Sequence, residues 1–180
     1  MIAIMLHSLA ETLSKLSRRE HRLTAGEILF RVGDPVTSLY LVTAGAVRLT
    51  RALPHGFQLT LQRAAPGAIL AEASLFAGTY HCNASADVTS ILRAVPLRRI
   101  KAALADNKGL ATAFAQHLAH EVHRARAQAE TLSLRTVAER VDAWLALHDG
   151  SLPAKGRWRH IASEIGVSPE ALYRELARRR

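Results

Sequence analysis

From about Leu23 to Pro96 the apolar positions come in short or alternating runs broken by glycine, at Gly26, Gly33, Gly45, Gly56, Gly67 and Gly78. A glycine roughly every eleven residues predicts many short strands. In LYLVTAGAVRLTRAL, Leu39 and Leu41 and then Val47 and Leu49 keep strand alternation on either side of a turn at Gly45. Phe57, Leu59 and Leu61 alternate in FQLTLQRA. The expected product is a compact antiparallel barrel or roll, with strand pairings left open because no Asn-Gly hairpin signal occurs. After Pro96 the texture becomes alanine-rich and free of proline until Pro153, a helical composition. Leu110, Phe114, Leu118 and Val122 step by four, and Ala125 and Ala129 carry the line toward Leu132, which predicts one long amphipathic helix. Its apolar stripe needs a partner, either its own barrel or the same helix of a second chain; the small alanines permit close approach and favour a twofold dimer. Val137, Val141 and Leu145, with Trp144 alongside, mark a further helix, and GSLPAKGR the loop after it.

The last twenty residues carry the sharpest signal. IASEIGVSPEALYRELARRR reads as a helix, a tight turn and a second helix ending in a basic run. Ile161 and Ile165 share one face, Gly166 takes the left-handed conformation that closes a helix, and Ser168 caps the next helix above Pro169 at its first position. Leu172 and Leu176 form the buried stripe of that second helix. Ser168, Pro169, Glu170, Tyr173 and Arg174 are left on or near the face that would enter a major groove.

Charge sharpens this when divided along the chain. The formal net charge is +9; residues 1–105 carry twelve Lys/Arg against six Asp/Glu, residues 106–150 five against six, and residues 151–180 seven against three. The tail is the densest basic region, and Lys155, Arg157, Arg159, Arg174 and Arg178 to Arg180 are candidates to neutralise phosphates, a contact without sequence information of its own. A hydrophobic content of 49% over 180 residues supports a real core. No apolar run reaches the eighteen or so residues of a membrane helix, and MIAIMLHSLAETL is interrupted by His7, Ser8 and Glu11 without a basic leader, so a cytoplasmic location without membrane contact is expected. The single Cys82 excludes an intrachain disulfide framework and a cysteine-ligated iron–sulfur cluster within one chain.

A glycine-punctuated roll, a long helix and a C-terminal helix-turn-helix, in that order, make the chain resemble the Crp/Fnr family of bacterial transcription regulators. The residues that carry the resemblance are LTAGEILFRVGD at Leu23 to Asp34, LYLVTAGAVRL at Leu39 to Leu49, PGAILAEASLF at Pro66 to Phe76 and IASEIGVSPEALYREL at Ile161 to Leu176. The resemblance implies an α+β fold: a cyclic-nucleotide-binding-like β-roll sensor at 1–105, a long dimerisation helix at 106–134 and a helix-turn-helix DNA-binding domain at 135–180. The sequence stops at Arg180, directly after the recognition helix, so the two-stranded wing usual in the family is expected to be absent. The implied function is a homodimeric regulator that reads a pseudo-palindrome in double-stranded DNA, with RNA polymerase and a small-molecule effector as further implied partners.

The family's base-reading glutamate and arginine fall on Glu170 and Arg174, and its phosphate-contacting cap on Ser168. Glutamate accepts from a cytosine amino group and arginine donates twice to guanine. Tyr173 lies beside them, and Arg178 and Arg179 are expected to anchor the backbone. Pro169 stands where an arginine is frequent, so one base contact is missing. A surface i,i+4 pair between Glu170 and Arg174 is the alternative. In the effector pocket the family's Gly-Glu pair becomes Ala71-Glu72, Cys82 stands where the phosphate-binding arginine belongs, and Asn83 where a small hydroxyl residue is usual. Neither replaces a guanidinium fork, so a standard cyclic nucleotide is not expected.

Haem or a soft metal at His81 and Cys82 is the alternative chemistry of that pocket, but adjacent residues of an extended strand face opposite ways, so no cofactor or metal is assigned. His117, His120 and His123 are read as solvated helix surface. Two rival functions remain: a ligand-sensing module whose helical tail binds another protein instead of DNA, and a cupin-like metal enzyme. The second lacks a ligand cluster, since His55 and His81 are isolated, and no catalytic triad, phosphate-cradling glycine loop or paired carboxylates argue for an enzyme.

Overall fold

The computed structural model describes residues 2–52 and 58–179, with side chains from Leu9 onward; His55, Gly56, Phe57 and Arg180 lie outside the described residues. The chain divides into two compact units, Met1–Arg51 with Gln62–Glu121 and Ala52–Leu61 with Val122–Arg180.

The strands form two four-stranded sheets, which lie in the first unit apart from Ala52 and residues 58–61. One has the order β1 (Arg19–Leu23), β8 (Ser90–Pro96), β3 (Ser38–Ala44), β6 (Ile69–Leu70), and the other β2 (Ile28–Phe30), β7 (Asn83–Ala86), β4 (Val47–Ala52), β5 (Gln58–Ala64). The pairings of β8 with β1 and β3, of β3 with β6 and of β7 with β2 and β4 are antiparallel. The strands on either side of Gly45 belong to different sheets, so this glycine is where the chain changes layer. Its φ is +82°, and a Cβ there would sit 2.4 Å from the Thr89 carbonyl oxygen and 2.7 Å from Ser90 Cα. Only glycine fits both the backbone angle and the space.

Strand β4 keeps the predicted alternation, with Val47 and Leu49 buried and Arg48 and Thr50 half-buried. Strand β3 does not. Leu39, Tyr40, Leu41 and Val42 are all buried, because β3 is an inner strand of its sheet and helix α1 (Ile2–Leu16) packs on it, burying Leu9 and Leu13. A strand covered on both faces loses its period. In β5 the expected phase is reversed: Thr60 is buried while Leu59 and Leu61 are half-buried. The Asp87 side chain, 3% exposed, forms ion pairs with Arg48, whose Nε lies 2.7 Å from Oδ1, and Arg63, whose Nε lies 2.8 Å from Oδ2. Helix α2 (Leu97–Asp106) lies against β8 through the fully buried Ile100.

Helix α3 (Lys108–Ser133) is the predicted long helix, capped by the Asn107 carboxamide oxygen, which accepts from the Leu110 amide at 2.9 Å. Leu110, Phe114 and His117 are buried, Leu118 is half-buried, and Val122, Ala125 and Ala129 are exposed. The buried line therefore runs i, i+4, i+7 and passes through His117 instead of the solvated surface expected for it; its ring lies 6.2 Å from that of Phe114. His120 and His123 are exposed as expected.

The second unit centres on a cluster of Val141, Trp144, Trp158, Ile161, Ala162, Ile165, Leu172 and Leu176. These side chains come from α4 (Val137–Ala146), α5 (Trp158–Glu164), the turn after it and α6 (Pro169–Arg178). Thr136 and Glu139 close a capping box at the start of α4. Thr60 joins this unit: its hydroxyl lies 2.5 Å from the Ser163 hydroxyl and its carbonyl accepts from Gln128 Nε2 at 2.9 Å. Among the described residues no helix is long and apolar enough to cross a membrane.

Candidate nucleic-acid interface and effector pocket

The turn between α5 and α6 follows from four residues. Ile161 and Ile165 are 3% and 1% exposed and fix the buried face of α5. Gly166 has φ +66°, which reverses the chain; a Cβ there would meet Leu132 Cδ2 at 2.7 Å. The Ser168 hydroxyl then accepts from the Ala171 amide at 3.2 Å, with Pro169 at the first helical position. Leu172 and Leu176 bury the inner stripe of α6. The opposite side of that helix presents Ser168, Glu170, Arg174 and Arg178, all exposed.

Glu170 and Arg174 lie one turn apart, yet among the described residues no ion pair joins them. The Glu170 carboxyl is held below the ordinary glutamate range by its own backbone amide, then by the Ser168 hydroxyl and then by the Arg159 guanidinium. It is therefore an ionised acceptor at neutral pH, and Arg174 remains a separate donor. Tyr173 is half-buried, its ring 5.5 Å from that of Trp158, so the ring belongs to the edge of the core. Lys155, Arg157 and Arg159 are exposed. A groove of about 450 Å³ lies between the start of α4 and α6, lined by residues that include Thr136, Ala138, Ala171, Arg174 and Arg178.

Arg179 is placed differently from the expectation. Instead of standing clear as a backbone anchor, its guanidinium donates to Glu175 Oε1 at 2.8 Å, to the Ala138 carbonyl at 2.9 Å and to the Asp142 carboxylate, clamping α6 to α4. The i,i+4 spacing of Glu175 and Arg179 was the available sequence signal. Arg140, which sequence reading passed over, donates to the carbonyls of Leu132, Leu134, Ile165 and Gly166 at 2.9–3.1 Å. One guanidinium thus satisfies the orphan carbonyls at two helix ends. No local pattern announces such a role, because the acceptors are backbone atoms distant in sequence.

In the first unit, Ala71 takes the left-handed conformation, φ 67° and ψ 17°, at the entrance to the short 3-10 turn Glu72–Ser74. Glu72 is 8% exposed and Cys82 2% exposed. Burial pushes the Cys82 thiol upward; the Arg51 charge opposes this and the Glu72 charge reinforces it. His81 faces the other way: it is exposed, accepts from Arg51 Nη2 at its carbonyl at 3.1 Å, and has Nδ1 3.1 Å from the Ser74 hydroxyl. His81 and Cys82 lie in the bend before β7, the first exposed and the second buried, and no cluster of metal-ligating residues occurs among the described residues. Asn83 is half-buried and its side-chain oxygen accepts from the Val32 amide at 2.9 Å, which engages it in the fold.

Residues 20–107 match the model of the cyclic nucleotide-binding domain. A global nitrogen regulator of Synechococcus elongatus is 28% identical over 138 residues, which are 74% of this chain and 61% of that protein. The chain thus spans about three fifths of the length of the curated relative. Among solved structures, FixK2 from Bradyrhizobium japonicum superposes with a TM-score of 0.75 at 23% identity, covering 89% of this chain and 83% of that one. The c-di-GMP-responsive global regulator CLP of Xanthomonas campestris gives 0.75 at 20% identity, covering 96% and 90%. At these identities the two structures speak to the fold.

Proposed function

We propose a function that proceeds from the chain's membership, at low identity, of the Crp/Fnr family of regulators: it is a homodimeric, sequence-specific DNA-binding transcription regulator in which α6 reads the major groove. The observation that carries this reading is the α5–Gly166–Ser168–α6 turn, after which an ionised Glu170 and an Arg174 that no ion pair engages among the described residues stand exposed on one helix. A carboxylate and a guanidinium one turn apart match the acceptor and donor patterns of cytosine and guanine edges. Arg178, 75% exposed, and Lys155, Arg157 and Arg159 supply the sequence-independent phosphate contacts. The dimer is formed along α3, where Val122, Ala125 and Ala129 leave the apolar line open in a single chain. Its effector differs from a standard cyclic nucleotide, since Cys82 and Asn83 offer no fork to a phosphate.

In vitro selection of random duplex DNA at near-physiological salt tests the proposal. Enrichment of an inverted repeat with half-sites about 34 Å apart is the expected result. Absence of enrichment, together with absence of salt-dependent binding, would overturn it and leave the helical tail to a protein partner.

A further inference from the structure

We propose that strand β5 is a mechanical link from the β-roll to the helix-turn-helix, with the hydrogen bond between Thr60 and Ser163 as its joint on the DNA side, so that DNA affinity answers to the roll end of the strand. The inference rests on the reading of α6 as the groove-facing helix. Its geometric basis is the course of β5, which passes from one unit to the other between Leu61 and Gln62 and is held on either side of that point. At the roll end, Arg63 Nε lies 2.8 Å from Oδ2 of the buried Asp87, whose Oδ1 lies 2.7 Å from Arg48 Nε on β4. Gln62 Nε2 donates to Glu121 Oε2 of α3 at 3.5 Å. At the other end, Gln128 Nε2 of α3 donates to the Thr60 carbonyl at 2.9 Å, and the Thr60 hydroxyl lies 2.5 Å from that of Ser163 on α5. Ser163 follows Ala162 directly and precedes Ile165 by two, and both belong to the buried cluster that holds Leu172 and Leu176 of α6. A displacement of Thr60 therefore reaches the recognition helix through packed side chains.

The chemistry of the strand suits it to this task. Thr60 is 3% exposed while Leu59 and Leu61 are half-buried, so β5 turns a hydroxyl inward where valine, of the same shape, would bury more apolar surface. Apolar contact is non-directional and tolerates sliding. A pair of hydroxyls out of water is satisfied in one relative placement and is costly in others. Between Thr60 and Arg63 the backbone is extended strand, so a displacement at one end is carried to the other instead of being absorbed by a flexible loop.

Two measurements on the full chain test this. Affinity for the DNA selected by the wild type is expected to change about threefold or more, in one direction, for both Thr60→Val and Ser163→Ala. The double variant should lie no further from wild type than either single one, with base preference and salt slope unchanged, and Arg63→Gln should change affinity only where Thr60 is present. Unchanged affinity or additive effects would overturn the inference, as would a salt slope lower by about one per subunit in Ser163→Ala, which would make that serine a phosphate contact. The second measurement needs no DNA and perturbs the far end of the strand. Arg63→Gln, at a side chain 26% exposed, is expected to change amide hydrogen exchange in α5 by about threefold or more in the wild-type background and to leave it unchanged in the Thr60→Val background. Arg63→Lys gives the same comparison should the glutamine variant fail to fold. Exchange in α5 that ignores the substitution, or that responds equally in both backgrounds, would overturn the link. If wild-type protein selects no sequence while the exchange coupling is seen, the DNA reading fails and the link stands.

Discussion

Replacing Arg179 by alanine separates the role its position suggests in the sequence from the one the structure gives it. The substitution removes hydrogen bonds to Glu175 Oε1, the Ala138 carbonyl and Asp142. Glu175 is 8% exposed, and its remaining cation is Arg178, whose Nη1 lies 3.4 Å from Oε2 on a side chain that is 75% exposed. Leaving a buried acceptor short of its main donor costs about 1–3 kcal/mol. The Arg179 side chain is itself 28% exposed, so water reaches part of the site. That places the expected loss in the lower part of the range, about 1–2 kcal/mol, or roughly 4–16 °C in Tm for a small domain.

Calorimetry of Arg179→Ala should show the second unit melting earlier, and Arg179→Ala with Glu175→Gln should recover part of the loss by removing the stranded charge. The pH profile gives an independent check. Asp142 is held below the ordinary aspartate range chiefly by its hydrogen bond from Arg179. A depressed folded-state pKa contributes stability above the unfolded value, near 3.9, and loses it as pH falls through the folded value. Wild type should therefore lose this contribution on acidification below about pH 4, and the variant should lack it. An unchanged Tm with a salt slope of DNA binding lower by about one per subunit would refute the clamp and make Arg179 a phosphate anchor.

Arg174→Ala should relax discrimination at one base position by about tenfold, read by competition between single-base operator variants; an equal fall on every variant would contradict base reading. Arg140→Ala strands carbonyls of Leu132, Leu134, Ile165 and Gly166, and should destabilise the second unit by about 2–4 kcal/mol in chemical denaturation, with Arg140→Lys recovering little because one ammonium cannot span all four. Gly45→Ala forces a methyl to 2.4 Å from a backbone oxygen at φ +82°; a loss of about 3 kcal/mol or more is expected, and a soluble variant with wild-type Tm would show that the layer change tolerates rearrangement.

The features legible in the sequence are those whose signal is local. The turn after α5 needs a left-handed glycine, a hydroxyl cap and a proline within four residues, and Gly166, Ser168 and Pro169 supply them in order. The stripe of α3 is legible through its first turns for the same reason. The period drifts, though: 3.6 residues per turn carries the buried line from Phe114 to His117, whereas a strict step of four carries it to Leu118. The alternation of Leu39 and Leu41 marks β3 as a strand, but α1 packs on it as well, and that packing has no trace within the strand. Thr136-Val-Ala-Glu139 carried a readable capping box that the helical period alone did not reveal. The roles of Arg140 and Arg179 depend on carbonyls and carboxylates brought together by tertiary packing, which a charge count cannot distinguish from solvated surface.

The turn at Ala71–Ser74 holds a backbone conformation that its sequence disfavours. A left-handed alanine costs about 1–2 kcal/mol relative to glycine's freedom, yet Ala71 holds that conformation and the Glu72–Ser74 turn forms behind it. The turn is therefore stabilised by its surroundings: the Ser74 amide donates to the Ala71 carbonyl at 2.9 Å, and Leu75 behind it is 2% exposed. The turn carries the buried Glu72 carboxylate, and the buried Cys82 thiol is pushed toward its protonated form by burial first, with the Arg51 charge opposing and the Glu72 charge adding to it. The cation whose charge does reach Cys82 is Arg51 of β4, and it is already donating to the His81 carbonyl. Arg51 is therefore already engaged by the chain's own backbone.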